Sequence, residues 1–237
     1  MIVASFTKEE SMKRSEINQR IKELEQLAKD NGFALPPFCH WTPKEWATKG
    51  PEYDEIRDNM LGWDITDYGL GNWEKVGFAL ITLRNGNQND DRYKKTYAEK
   101  LLMLKEGQHS PMHYHWSKSE DIINRGGGTI IIHVYNCDEN DDLDRVHDFP
   151  VNSDGRTYMV PAGTGVELTP GESITLWPKQ YHDFDVKPGT GDVLLGEVSM
   201  CNDDANDNRF HQPIGRFPAI EEDEAPYRLL CFEYPRV

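Results

Sequence analysis

Two histidines two positions apart, His113 and His115, followed by Glu120, are the residues of this chain whose types and spacing can do chemistry. Side chains of an extended segment alternate between faces, so both imidazoles project to the same side, and a short turn brings the carboxylate beside them. A third imidazole, His182, follows the turn-like Thr169-Pro170-Gly171-Glu172 and the apolar Leu176-Trp177. Three nitrogens and one carboxylate, without thiolate, suit a divalent first-row ion from Mn²⁺ to Zn²⁺. If such an ion is six-coordinate, two positions stay open. They can chelate a carbonyl and its α-hydroxyl, and the ion then lowers the cost of removing the proton between them.

Proton removal also needs a base. Lys100 shares strand parity with Ala98, Leu102 and Leu104, and Glu197 shares it with Val193 and Leu195, so each places an ionisable group on a largely apolar face. Burial there moves a carboxylate up and an ammonium down, toward the range useful for acid-base work. The alternative is an internal Lys–Glu pair. Downstream, the run Asn202 to Arg209 is dense in amide, carboxylate and guanidinium groups and reads as a hydroxyl-binding rim or as a solvated loop. Gln108, Asp207 and Arg209 are the candidate hydroxyl-binding residues.

These groups must be positioned by many short strands. Runs at 76–84, 96–105, 128–135, 156–160, 172–177, 182–186, 192–199 and 228–234 have β character and are separated by turn residues rather than helices. That pattern argues for a sandwich or barrel. The N-terminal part differs. Apolar residues at 17, 21, 24 and 28, with Ser15 at the start and Gly32 at the end, predict an amphipathic helix. Thr42-Pro43-Lys44-Glu45 is a capping-box sequence that predicts a short second helix, and helical character ends near residue 61. The simplest division is an N-terminal helical extension over 1–75, packed on a β-barrel over 76–237, within one structural domain.

Composition narrows the function classes. With 41 acidic against 26 basic residues the net charge is −15, a field that repels nucleic acid. The acidic run 138–144 lacks the glycine and terminal glutamate of an EF-hand loop and reads as solvated. No stretch approaches the ~18 apolar residues of a membrane span, and the first residues do not form a signal peptide, so a cytoplasmic protein is expected. Four scattered cysteines suggest neither a disulfide framework nor a thiolate zinc site.

The ligand run resembles the motifs of the cupin superfamily. Gly107, His113, His115, Glu120 and Gly127 fit the first motif, and Gly171, Pro178 and His182 fit the second with looser spacing. The chain is similar, more narrowly, to the D-lyxose isomerase family through Ala98-Glu99-Lys100, Gly107 to Trp116, Glu120 to Gly128, Glu197-Val198-Ser199 and Asn202-Asp203 with Asp207-Asn208. The resemblance implies a mainly β cupin jelly-roll barrel and a homodimer. It also implies a Mn²⁺-dependent isomerase that interconverts D-lyxose with D-xylulose and, as a secondary pair, D-mannose with D-fructose. His113, His115, Glu120 and His182 would then be the ligands and Lys100 and Glu197 the pocket's ionisable pair, with proton transfer through a metal-chelated enediol. A cupin oxygenase or oxidase could use the same ligand set, and a non-catalytic sugar-binding cupin is a second rival. The polyol-type rim and the proton-transfer candidates favour isomerisation.

Overall fold

A computed structural model describes residues 11–204, 206–215 and 218–236. Its strands are β1 (Met12–Lys13), β2 (Gly62–Thr66), β3 (Phe78–Arg84), β4 (Tyr97–Leu104), β5 (His113–His115), β6 (Glu120–Gly127), β7 (Ile130–Asn136) and β8 (Phe149–Ser153). They continue with β9 (Arg156–Val160), β10 (Thr164–Leu168), β11 (Ser173–Leu176), β12 (Gln180–Val186), β13 (Val193–Met200), β14 (Asn208–Phe210) and β15 (Ile220–Glu221). Two sheets form the body of the molecule. One has eight strands in the order β2-β3-β4-β13-β6-β11-β8-β9, and the other has five in the order β10-β7-β12-β5-β14. Within both, every pairing is antiparallel.

The inner faces of the two sheets share one apolar core. Leu102, Leu104, Ile122, Val193 and Leu195 come from the larger sheet, and Ile130, Ile132, Val134, Val166 and Phe184 from the smaller. This is the jelly-roll arrangement, in which alternate residues of each strand fill the interior. Polar residues that share the inward parity are therefore carried into the barrel.

The outer face of the larger sheet is covered by α1 (Arg14–Asp30). Ile17, Ile21, Leu24 and Ala28 pack there against Trp63, Ile65, Ala79, Ile81, Leu101 and Leu194. Burying each of the larger aliphatic side chains contributes about 1.5–3 kcal/mol. The helix begins one residue before Ser15, whose hydroxyl donates to Asp223 Oδ2 at 2.6 Å instead of capping. It stops as expected at Gly32, whose φ of +71° is left-handed. Fully buried Arg14 donates to Glu222 Oε1 at 2.6 Å and also pairs with Glu233, tying the helix to the C-terminal segment. Thr42 and Glu45 form the expected capping box on α2 (Pro43–Trp46). Two further short helices are α3 (Asp54–Asp58) and α4 (Trp73–Val76).

Two readings of the sequence are corrected. Residues 62–66, placed in the helical extension, form β2 and pair with β3 in the larger sheet. All five of its residues are buried: Trp63 and Ile65 pack under α1, and the polar Asp64 and Thr66, on the opposite parity, are buried as well, so this short strand has no solvent-facing side. Residues 228–234, expected as a strand, make turns. Their ladder contact is a single bridge from Leu230 to Trp63, and Tyr234 instead stacks on Trp46 with ring centroids 3.9 Å apart.

Candidate metal centre and catalytic cavity

Strand β5 carries His113 and His115 inward and Tyr114 outward, against Trp116 and Tyr181. Strand β12 runs antiparallel beside β5 with His182 opposite His113, and the two ring centroids lie 4.3 Å apart. The three imidazoles each offer a ligand atom within 4.8 Å of the others. Glu120 opens β6 in the facing sheet, so the fourth group arrives from across the barrel. Its Oε1 lies 3.2 Å from His182 Nε2 and its Oε2 lies 3.3 Å from His115 Nε2. The tight turn that closes the motif depends on Gly127, whose φ is +86° and where a Cβ would meet Asp192 O at 2.2 Å.

The donor set fits a divalent cation. His113 Nδ1 donates to Pro111 O at 2.8 Å and His182 Nδ1 donates to Gln180 O at 3.0 Å. Each carbonyl fixes the proton on Nδ1 and leaves Nε2 as a lone pair. His182 Nε2 is buried without a hydrogen-bond partner and faces the lone pairs of Glu120 Oε1. Two lone pairs in contact inside a protein repel, and a cation between them removes the repulsion. Burial, then the neighbouring His182 and His115, hold His113 well below its ordinary value, so this imidazole stays neutral and able to ligate. Burial and the Lys118 ammonium lower His115 in the same way.

Beside this set lies a small cavity of about 50 Å³, walled by Tyr68, Phe78, Leu80, Phe184 and Phe210 on its apolar side. Lys100 and Glu197 face each other across β4 and β13, and both reach the cavity. Lys100 Nζ donates to Asn202 Oδ1 at 2.6 Å and lies 3.5 Å from both Glu197 and Asp204. A residue that the sequence pattern did not single out joins them. Lys118 is buried in the turn between β5 and β6, 2.7 Å from Glu120 Oε2 and 2.9 Å from Glu197 Oε1. Burial pushes this ammonium down, but Glu120, Glu197 and Asp204 outweigh it and raise the group, so Lys118 remains charged. Burial pushes Glu120 up, and Lys118 with His115 overrides it, holding this carboxyl well below its usual range. Lys118 precedes Glu120 by two positions, which is the one signal in the sequence that could draw attention to it.

The three expected hydroxyl-binding residues lie elsewhere. Gln108 is buried outside the cavity wall, where its Oε1 accepts from Lys105 N at 2.9 Å and its amide donates to Trp73 O at 2.6 Å. Asp207 shapes the turn that carries Lys118, accepting from Ser117 N at 2.9 Å and from Lys118 N at 3.1 Å. Arg209 points away from the cavity. Strand β14 pairs with β5 so that Asn208 is opposite His115 and Phe210 opposite His113. Alternation then gives Asn208 and Phe210 to the cavity and leaves Arg209 over the rings of Tyr114 and Trp116, 5.9 and 5.7 Å from their centroids.

Comparison with known proteins agrees with this architecture. The D-lyxose isomerase family model matches residues 12–234. The chain is 46% identical over 226 residues to a D-lyxose/D-mannose isomerase of Serratia proteamaculans, covering 95% of this chain and 99% of that one. It is 44% identical over 224 residues to the protein of the same name from Escherichia coli O157:H7, covering 94% and 98%. The crystal structure of Cellulomonas parahominis L-ribose isomerase with L-ribose shares the fold, with a TM-score of 0.57 and 16% identity over 90% of this chain and all of that one. Matched along nearly its whole length, the chain belongs to the D-lyxose isomerase family and is an aldose–ketose isomerase.

Proposed function

We propose that the chain interconverts D-lyxose and D-xylulose, with D-mannose and D-fructose as a secondary pair, by proton transfer through an enediol, and that its resident ion is Mn²⁺. The names of its relatives support the sugars. The observation that carries the mechanism is Lys118 bridging Glu120 of the ligand set to Glu197 of the neighbouring strand β13. A divalent ion held by His113, His115, His182 and Glu120 supplies Lewis-acid polarisation of a carbonyl when bound.

Glu197 is the proton carrier in this reading. Its carboxylate only accepts, while Lys100 and Lys118 are donors on either side of it. It takes the proton from C2 of the aldose and returns it to C1 of the enediol. The two ammoniums donate to the oxygens on which negative charge develops. The aromatic and aliphatic wall excludes water, which strengthens these charge interactions and protects the enediol.

The test is a panel of aldoses given to protein stripped of metal and reloaded with single divalent ions. D-lyxose is expected to turn over fastest with Mn²⁺, and D-xylose and D-glucose far more slowly. A mispaired hydroxyl costs on the order of 1–3 kcal/mol per lost partner. Equal efficiency on D-xylose and D-lyxose refutes the substrate assignment. In deuterated water the product should carry deuterium at the carbon that gained the proton; full activity of Glu197→Gln without label refutes the proton-transfer reading.

A further inference from the structure

The catalytic cavity is too small for the sugar assigned to it. At roughly 10–15 Å³ per water-sized group, 50 Å³ takes about four such groups, fewer than the non-hydrogen atoms of a pentose. The carbonyl and its neighbouring carbons fit, and the remainder of the chain must go elsewhere. A second cavity of about 260 Å³ adjoins the first. Both have Asp204 in their walls, and the Lys100–Asn202 hydrogen bond of 2.6 Å runs between a residue lining one and a residue lining the other. Thr82, in the wall of the larger cavity, is the cross-strand partner of Lys100.

The walls of this larger cavity are unusual in their chemistry. Among the described residues seven carboxamide side chains and four aspartates line it, supplied by the end of α3 (Asp58, Asn59), by Asp64 of β2, by the 85–89 segment and by Asn202, Asp203, Asp204 and Asn206. Carboxamides and carboxylates offer paired donors and acceptors that match vicinal hydroxyls. Several of these amides are fixed by hydrogen bonds to other parts of the wall. Asn85 Oδ1 accepts from Asn202 N at 2.9 Å, Asn85 Nδ2 donates to Asn202 O at 3.0 Å, and Asn87 Nδ2 donates to Asn59 Oδ1 at 3.3 Å. Asn202 Oδ1 accepts from Lys100 and Lys118, which leaves its –NH₂ end as the group it can present to a ligand.

We propose that this amide-walled cavity is a polyol subsite, which binds the hydroxyls at the far end of the open-chain sugar and sets the chain length the enzyme accepts. The proposal rests on the isomerase reading above for the identity of the sugar, but the cavity's affinity for a polyol can be measured without turnover. The probes are D-arabinitol and D-mannitol, alditols that lack a carbonyl and cannot isomerise. They are titrated by calorimetry into metal-loaded wild type, Asn87→Phe, which fills the cavity, and Thr82→Val, which removes one hydroxyl with little change of volume. Wild type should bind D-mannitol more tightly than D-arabinitol. Asn87→Phe should lose at least tenfold in affinity for D-mannitol, and Thr82→Val a smaller part, while Mn²⁺ binding stays within twofold. In kinetics, KM for D-mannose should rise more than KM for D-lyxose, with kcat within about threefold.

Alditol binding equal in wild type and both variants overturns the proposal, as does an equal loss for both sugars carried in kcat. If wild type isomerises no aldose yet binds D-mannitol in a manner sensitive to Asn87→Phe, the substrate reading fails and the polyol site stands.

Discussion

Replacing Lys118 with methionine is the sharpest test of how the centre is held together. Methionine keeps most of the side-chain length and volume, so packing is nearly conserved while the charge disappears. The lysine contacts Glu120 at 2.7 Å and Glu197 at 2.9 Å, and all three side chains are at most 8% exposed. Removing one member of a buried charge set leaves its partners unpaired and costs about 3–5 kcal/mol. For a chain of this length that is a fall in melting temperature of about 6–20 °C, at roughly 2–4 °C per kcal/mol. The assay is urea unfolding of metal-free wild type and Lys118→Met, repeated with saturating Mn²⁺. The loss should be largest without metal and partly restored by it, because a divalent cation beside Glu120 replaces some of the missing positive charge. A metal-free variant within about 1 kcal/mol of wild type, the value of an exposed pair, would refute the buried network.

Four shorter expectations accompany it. His113→Ala and His182→Ala should each lose stoichiometric metal by elemental analysis while keeping the wild-type circular dichroism spectrum; retained metal in both would disprove the ligand set. Arg209→Leu should leave KM for D-lyxose within about twofold, since this guanidinium lies outside the cavity over Tyr114 and Trp116; a large rise in KM would return it to the site. Gly127→Ala should destabilise the fold by more than about 1 kcal/mol in urea unfolding, because the backbone there is left-handed and Asp192 O occupies the place of a Cβ. Glu106 is held below its ordinary 4.5 by the N–H groups of Gly189 and Gly191, so its contribution is complete above about 4.5 and disappears as pH falls through its lower folded value. The stability difference between wild type and Glu106→Gln should therefore fade on acidification below 4.5, and a difference that grew instead would contradict the assignment.

Whatever depends on neighbours along the chain is legible in the sequence alone. The alternation of His113, Tyr114 and His115 places two imidazoles on one face of any strand. The parity of Lys100 with Leu102 and of Glu197 with Leu195 likewise carries both ionisable groups wherever those leucines go, which is the barrel interior. The 3.6-residue spacing of Ile17, Ile21, Leu24 and Ala28 specifies α1 in the same local way. The resemblance in the ligand run and in the 197–208 region names the family.

Pairing and register are different, because they are settled by contacts between segments distant in the chain. His182 meets His113 only because β12 pairs with β5 at that register. Asp207 and Arg209 look equivalent to Asn208 and Phe210 in a polar run, and the one-residue choice between them is made by the pairing of β14 with β5. Strand β2 is decided by contacts too: its Trp63 and Ile65 are packed under α1 and its Asp64 and Thr66 are buried on the other face once it pairs with β3, which five residues do not reveal by themselves. Lys118 sits in a turn, where no periodicity marks a side chain as inward. Its burial follows from the barrel closing over that turn and from the pairing of β6 with β13, which sets one carboxylate from each strand 2.7 and 2.9 Å from its ammonium.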